Sequence, residues 1–109
     1  MPHIIYKGMS IEEVKLIEAE IIHEVSQLIE CPADHFTTEW MHTMFITKGA
    51  ENSGGYPFVS INWFKRNQSK RDAVAKVITE AVMKLGYSDV CVYFNELKPD
   101  HYYENGEHF

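Results

Sequence analysis

Apolar and polar positions change period twice along this chain. Pro2-His3-Ile4-Ile5-Tyr6-Lys7 reads as a strand. From Ser10 the period lengthens. Ile11, Val14, Ile17, Ile21, Val25 and Leu28 recur at spacings of three and four, which places them on one face of a helix. Ser10 followed by Glu13 three positions later is the pattern of a capping box. Pro32 stops the helix, because the residue before a proline is pushed out of α geometry. A second strand is expected from Thr37 to Thr47, where β-branched and aromatic residues cluster.

The stretch 48–56 is rich in Gly, Asn and Ser, which is turn chemistry. The order then repeats. Phe58–Phe64 reads as a strand, and Val74, Val77, Ala81 and Leu85 form a second helical stripe. Gly86 suits the left-handed position past a helix end. Val90–Leu97 reads as a fourth strand. The two stripes align Val14 with Val74, Ile17 with Val77, Ile21 with Ala81 and Val25 with Leu85. One domain is expected over 1–109, with pseudo-repeats of about 1–47 and 57–97 and a tail over 98–109.

The predicted order, βαββαβ, fits two architectures. One is the ferredoxin-like split βαβ. The other is a pair of βαβ units whose strands lie side by side. Either is an α/β (α+β) fold with two helices on one face of a four-stranded mixed sheet, because crossovers between parallel strands are right-handed. Alternation sets Val59, Ile61 and Trp63 against Phe58 and Phe64, and Val92 and Phe94 against Cys91 and Tyr93. Trp40, Met44 and Ile46 are set against Met41 and Phe45. Large apolar groups therefore stand on both faces. A sheet wetted on one side reads apolar-in, polar-out, so the second face is expected to be covered by other subunits.

Composition narrows the partners. The net charge is −6, so the basic footprint of a nucleic-acid binder is missing. No apolar run approaches the ~20 residues of a membrane helix, and no signal peptide is visible, so a cytoplasmic protein is expected. Cys31 and Cys91 form no CxxC pair, and the six histidines show no HxH or HxxxH pair. His101 and His108 with Asp100, Glu104 and Glu107 read as a solvated acidic tail rather than a metal cluster. Tyr102 and Tyr103 argue that this tail is packed, because such rings bury their bodies and bond their hydroxyls; a neighbouring subunit is the expected dock.

Candidate chemistry centres on Pro2. Its small size permits removal of Met1, which would leave a secondary amine at the chain end. An α-amino group titrates near neutrality, and apolar burial lowers that value further. A base poised there suits proton transfer next to a carbonyl. If Met1 stays, the Pro2 nitrogen is an amide and cannot act as a base.

A Met-Pro opening a strand, two pseudo-repeated βαβ units and this length resemble the tautomerase superfamily, which includes macrophage migration inhibitory factor and carboxymethyl-hydroxymuconate isomerase. Tyr56-Pro57-Phe58-Val59, Trp63-Phe64 and the tail Tyr102–Phe109 are similar to a small bacterial branch of it. The resemblance implies a homotrimer with helices outside, and keto–enol tautomerisation or isomerisation of a small 2-oxo acid without a cofactor. It implies Pro2 as the base and a pocket at a subunit boundary, formed by Trp63, Phe64 and Arg66 and by a neighbour's Cys91 and Tyr93. Arg66 is the expected carboxylate partner, with Lys65 and Arg71 behind it. Glu39 stands where several family enzymes carry a cation, and Cys91 and Tyr93 replace the fourth-strand Tyr and Asn of the migration-factor type. The alternative reading is a non-catalytic small-molecule-binding or assembly module of the same fold.

Overall fold

The computed structural model describes residues 1–51 and 54–109. Asn52 and Ser53, in the turn-rich stretch after the second strand, lie outside the described residues. Strand β1 (His3–Lys7) leads to helix α1 (Ile11–Ile29) and, after a 3-10 turn at Ala33–His35, to strand β2 (Thr37–Met41). Two short strands, β3 (Ile46–Thr47) and β4 (Ala50–Glu51), pair with each other. Strand β5 (Phe58–Phe64), helix α2 (Gln68–Met83) and strand β6 (Cys91–Leu97) make the second unit. The tail forms a 3-10 turn at Pro99–His101 and a hairpin of β7 (Tyr103–Glu104) and β8 (Glu107–His108).

The main sheet runs β2-β1-β5-β6. β1 is parallel to β2, β5 is parallel to β6, and β1 meets β5 antiparallel. Each βαβ unit therefore keeps its two strands adjacent, which excludes the ferredoxin-like alternative. The two units also enter alike. Pro2 and Pro57 are both fully buried immediately before a first strand. The Pro2 carbonyl accepts from the Thr37 amide, and the Pro57 carbonyl from the Cys91 amide, each at 3.0 Å.

The core lies between sheet and helices. Ile4, Tyr6, Val59, Ile61 and Trp63 come from the sheet, Val14, Ile17, Ile21, Val25 and Ile29 from α1, and Val74, Ile78 and Val82 from α2. The α2 stripe is therefore centred on Ile78 and Val82, with Val77 and Ala81 at its margin and Leu85 beyond the helix end. This pairs Ile17 with Val74, Ile21 with Ile78 and Val25 with Val82, a tighter repeat than the sequence stripes suggested.

Local chemistry explains the boundaries. Ser10 and Glu13 form the full capping box. α1 ends on Glu30 in the left-handed region, before Pro32. Gly8 turns the chain from β1 into α1 at φ +83, and a Cβ there would lie 2.5 Å from the Tyr56 carbonyl oxygen, so only glycine fits. The expected strand to Thr47 is corrected: β2 stops at Met41, opposite Lys7. β1 ends at Lys7, so β2 has no partner beyond that point. Among the described residues, no helix is long and apolar enough to cross a membrane.

The sheet face away from the helices is mixed. Register aligns Glu39, Ile5, Ser60 and Tyr93 in one row, and Thr37, His3, Asn62 and Asn95 in the next. Asn95 donates to Asn62 at 2.8 Å. Phe58 and Phe64 stand at the two ends of β5 on this face. The large apolar groups expected there are present, but polar side chains separate them.

Candidate active site

Parallel pairing of β1 with β2 and antiparallel pairing with β5 bring the chain start beside the end of β5 and the start of β2. Pro2 is fully buried and pinned by the Thr37 amide. Met1, half-buried, carries the amine. Burial holds that amine below its ordinary value of 8.0; Arg66 pushes it the same way, while Cys31 and Glu104 pull it up. Burial and the guanidinium win.

Arg66 is fixed from three sides. Its Nη1 donates to the Phe64 carbonyl at 3.0 Å, and its guanidinium lies 4.9 Å from the centre of the Trp63 ring, a cation–π distance. Its own carbonyl accepts from Arg71 Nη1 at 2.8 Å, and Arg71 is paired with Glu96 at 3.0 Å. Among the described residues no other hydrogen bond engages the Arg66 guanidinium, so it retains donors for a carboxylate. Trp63 is a core residue, fully buried and stacked on Phe94 at 4.8 Å. Its ring backs Arg66.

Phe64 faces the other side of the sheet. It meets Tyr102 edge-on at 5.4 Å and Phe109 at 5.6 Å. The tail thus packs on its own chain through these rings. His3 stacks on Tyr102, and its Nε2 lies 3.0 Å from the Tyr102 hydroxyl. Its Nδ1 meets the Thr37 hydroxyl. On another side, Cys31 Sγ lies 3.9 Å from His35 Nδ1.

The sequence candidates divide accordingly. Arg66 lies against Trp63 and acts on the chain-end amine next to Pro2, whereas Phe64 stands on the other face of the sheet. Glu39 and Tyr93 do not join them: they occupy opposite edges of the sheet, in a row centred on Ile5 and Ser60. Sequence reasoning missed His3, Thr37, Cys31, Tyr102 and Glu104 as neighbours of this end. The meeting of His3 with Thr37 depends on the parallel register of β1 and β2. Among the described residues, no three His, Cys, Asp or Glu side chains gather as a metal site, the tail included.

The family model described as Domain of unknown function (DUF1904) matches residues 1–108. A crystal structure of a DUF1904 domain from Sebaldella termitidis superposes with a TM-score of 0.93 at 38% identity, covering 100% of both chains. A macrophage migration inhibitory factor-like protein from Entamoeba histolytica superposes with a TM-score of 0.76 at 16% identity, covering 99% of this chain and 98% of its own. A fused 4-OT protein, an asymmetric trimer, gives 0.80 at 10% identity, covering 97% and 94%. No curated protein matches the chain. The last two likenesses establish the tautomerase/migration-factor fold, and the first two findings establish the family: this chain belongs to the DUF1904 family.

Proposed function

We propose that the chain is a cofactor-free tautomerase- or isomerase-like protein acting on a small 2-oxo acid, with Pro2 as its base once Met1 is removed. The observation that carries this reading is the half-buried chain-end amine held below its ordinary value beside Arg66. Removing Met1 moves the amine one residue inward, to Pro2, which is fully buried. Burial disfavours the charged form of an amine at that position, the direction that suits a base for proton transfer near neutral pH. The free donors of Arg66 take the substrate carboxylate, and its charge stabilises the electron density that moves onto oxygen when the carbon-bound proton leaves.

A homotrimer belongs to this reading. The apolar groups left on the open sheet face support it, as does the trimer formed by the fused 4-OT protein. Assembly would add neighbour residues to the site, and Tyr93, remote from Pro2 within one chain, is the candidate for that part. Glu39 would remain outside the site or enter it from a neighbour.

A non-catalytic binding or assembly module is the second reading. It is favoured by Glu39, a carboxylate where several enzymes of the resembled superfamily carry a cation. The test uses protein whose Met1 loss has been confirmed by mass. It should speed ketonisation of phenylpyruvate enol above buffer, and Pro2→Ala, which keeps a primary amine, should slow it markedly. No rate above buffer across several 2-oxo acids would leave the binding module in its place.

A further inference from the structure

His3 is bonded at both ring nitrogens. Nδ1 meets the Thr37 hydroxyl, and Nε2 meets the Tyr102 hydroxyl at 3.0 Å. Thr37 also holds the Pro2 carbonyl through its amide. A single hydrogen-bonded chain therefore runs from the residue that pins Pro2 to a hydroxyl supplied by the tail. Tyr102 is also joined to the end of β5: its ring packs on Phe64, whose carbonyl accepts from Arg66. Phe109 closes edge-on against Tyr102 at 5.1 Å, and its amide donates to the Tyr102 carbonyl at 3.1 Å. The ring is thus held on several sides, while its hydroxyl has His3 as its one hydrogen-bond partner among the described residues.

We propose that the Tyr102 hydroxyl, oriented by His3, donates the hydrogen bond to the substrate's carbonyl oxygen. The proposal rests on the reading of Pro2 as base and adds the residue that meets the developing charge. One direction of the chain leaves that donor free. The Thr37 hydroxyl donates to Nδ1, Nε2–H donates to the Tyr102 oxygen, and the Tyr102 hydrogen points outward. The proposal takes that direction, in which each bond polarises the next toward the substrate.

The step balances without any further reactant. The Pro2 amine takes a proton from the carbon beside the carbonyl. The C–H electron pair becomes the C=C bond, and the carbonyl π pair moves onto oxygen, where Tyr102 donates. The oxygen then takes a proton from water, and the protonated amine returns one to water. Ketonisation runs the same steps backward. His3 and Thr37 are positioning residues in this scheme, and Tyr102 touches the reacting oxygen.

The test uses processed full-length protein. Tyr102→Phe keeps the ring that packs on Phe64 and Phe109, so the tail stays docked and the melting temperature holds. We expect kcat to fall about 100-fold, the scale for loss of one donor to a developing oxyanion, with KM within about twofold. His3→Ala should lower kcat by less with KM unchanged, and His3→Gln, whose amide can still donate to Tyr102, should recover part of the loss. In parallel, calorimetry measures the affinity of oxalate, a mimic of a 2-oxo acid enolate. Tyr102→Phe should weaken it about tenfold, as expected for one hydrogen bond to a charged group. Unchanged kcat and unchanged oxalate affinity in Tyr102→Phe overturn the proposal. If processed wild type shows no turnover, the Pro2 reading fails and oxalate still decides: weakened binding in Tyr102→Phe upholds Tyr102 as the oxygen-binding donor, and wild type that fails to bind oxalate overturns it.

Discussion

The Tyr87 hydroxyl, arriving just after α2, donates to Glu13 Oε1 in the first turn of α1 at 2.7 Å. The same oxygen accepts the Ser10 amide at 2.9 Å, so one carboxylate ties the two βαβ units together. Burial pushes the Glu13 carboxyl up, but hydrogen bonds from the Ser10 amide, Tyr87 and the Ser10 hydroxyl outweigh it and hold it below its ordinary 4.5. Tyr87 is pushed up to about 12 by burial first and by Glu13 second.

These shifts fix a pH window. A depressed carboxyl stabilises the fold above its unfolded value and loses that contribution as pH falls through its folded value. A raised phenol stabilises below its unfolded value of 10.0 and loses that contribution as pH rises through about 12. Tyr87→Phe should therefore cost about 1 kcal/mol at neutral pH. Denaturant midpoints of variant and wild type should converge in acid, once Glu13 is protonated in both. A difference that persists undiminished there would show that the bond is not its source.

Ser10→Ala removes the hydroxyl that accepts the Glu13 amide at 3.1 Å. The expected cost is about 1 kcal/mol, whereas Ser10→Gly should cost only a few tenths. Thermal melts of the two variants check the order.

Trp63 fills the centre of the core, and its indole N–H is buried with no hydrogen-bond partner among the described residues. Trp63→Ala should destabilise by about 3–5 kcal/mol. Trp63→Phe keeps a ring against Phe94 and removes the orphaned donor, whose burial is itself a cost, so its loss should be well below that of the alanine variant. Equal losses in chemical denaturation would contradict this account of the site.

Cutting the chain after Leu97 strips Phe64 of both Tyr102 and Phe109. With each aromatic contact worth about 0.5–1.5 kcal/mol, the truncated chain should melt measurably lower even where its oligomeric state is unchanged. Light scattering should give about three times the chain mass of 12.7 kDa for the full-length protein. A stable monomer would remove the shared-pocket part of the function proposed above.

Much of this architecture was legible because it is local. The capping box at Ser10, the α1 stripe and the buried parity of Val59, Ile61 and Trp63 each depend on residues a few positions apart. What was missed depends on partners far along the chain. Met44 and Ile46 continue the alternation of β2, yet the strand stops at Met41 because β1 offers nothing beyond Lys7. The α2 stripe was placed on Val77 and Ala81 because apolar residues surround it, and only packing against α1 selects Ile78 and Val82. The meeting of His3 with Tyr102, ninety-nine positions apart, has no local signature. Of the candidate site residues, Arg66 lies against Trp63 and acts on the chain-end amine, while Glu39 and Tyr93 lie on opposite edge strands, a separation that only the strand order sets.

The matched entries of the two units carry a consequence for how a duplicated fold acquires a single centre. Pro57 has the surroundings of Pro2: full burial and a carbonyl bond from the following parallel strand. Peptide bonds on both sides forbid its nitrogen any basicity, whatever pocket surrounds it. Pro2 lies one hydrolysed bond away from being an amine. Symmetry between the halves is therefore broken by chain connectivity rather than by side chains, and one peptidase cut decides whether Pro2 carries an amine.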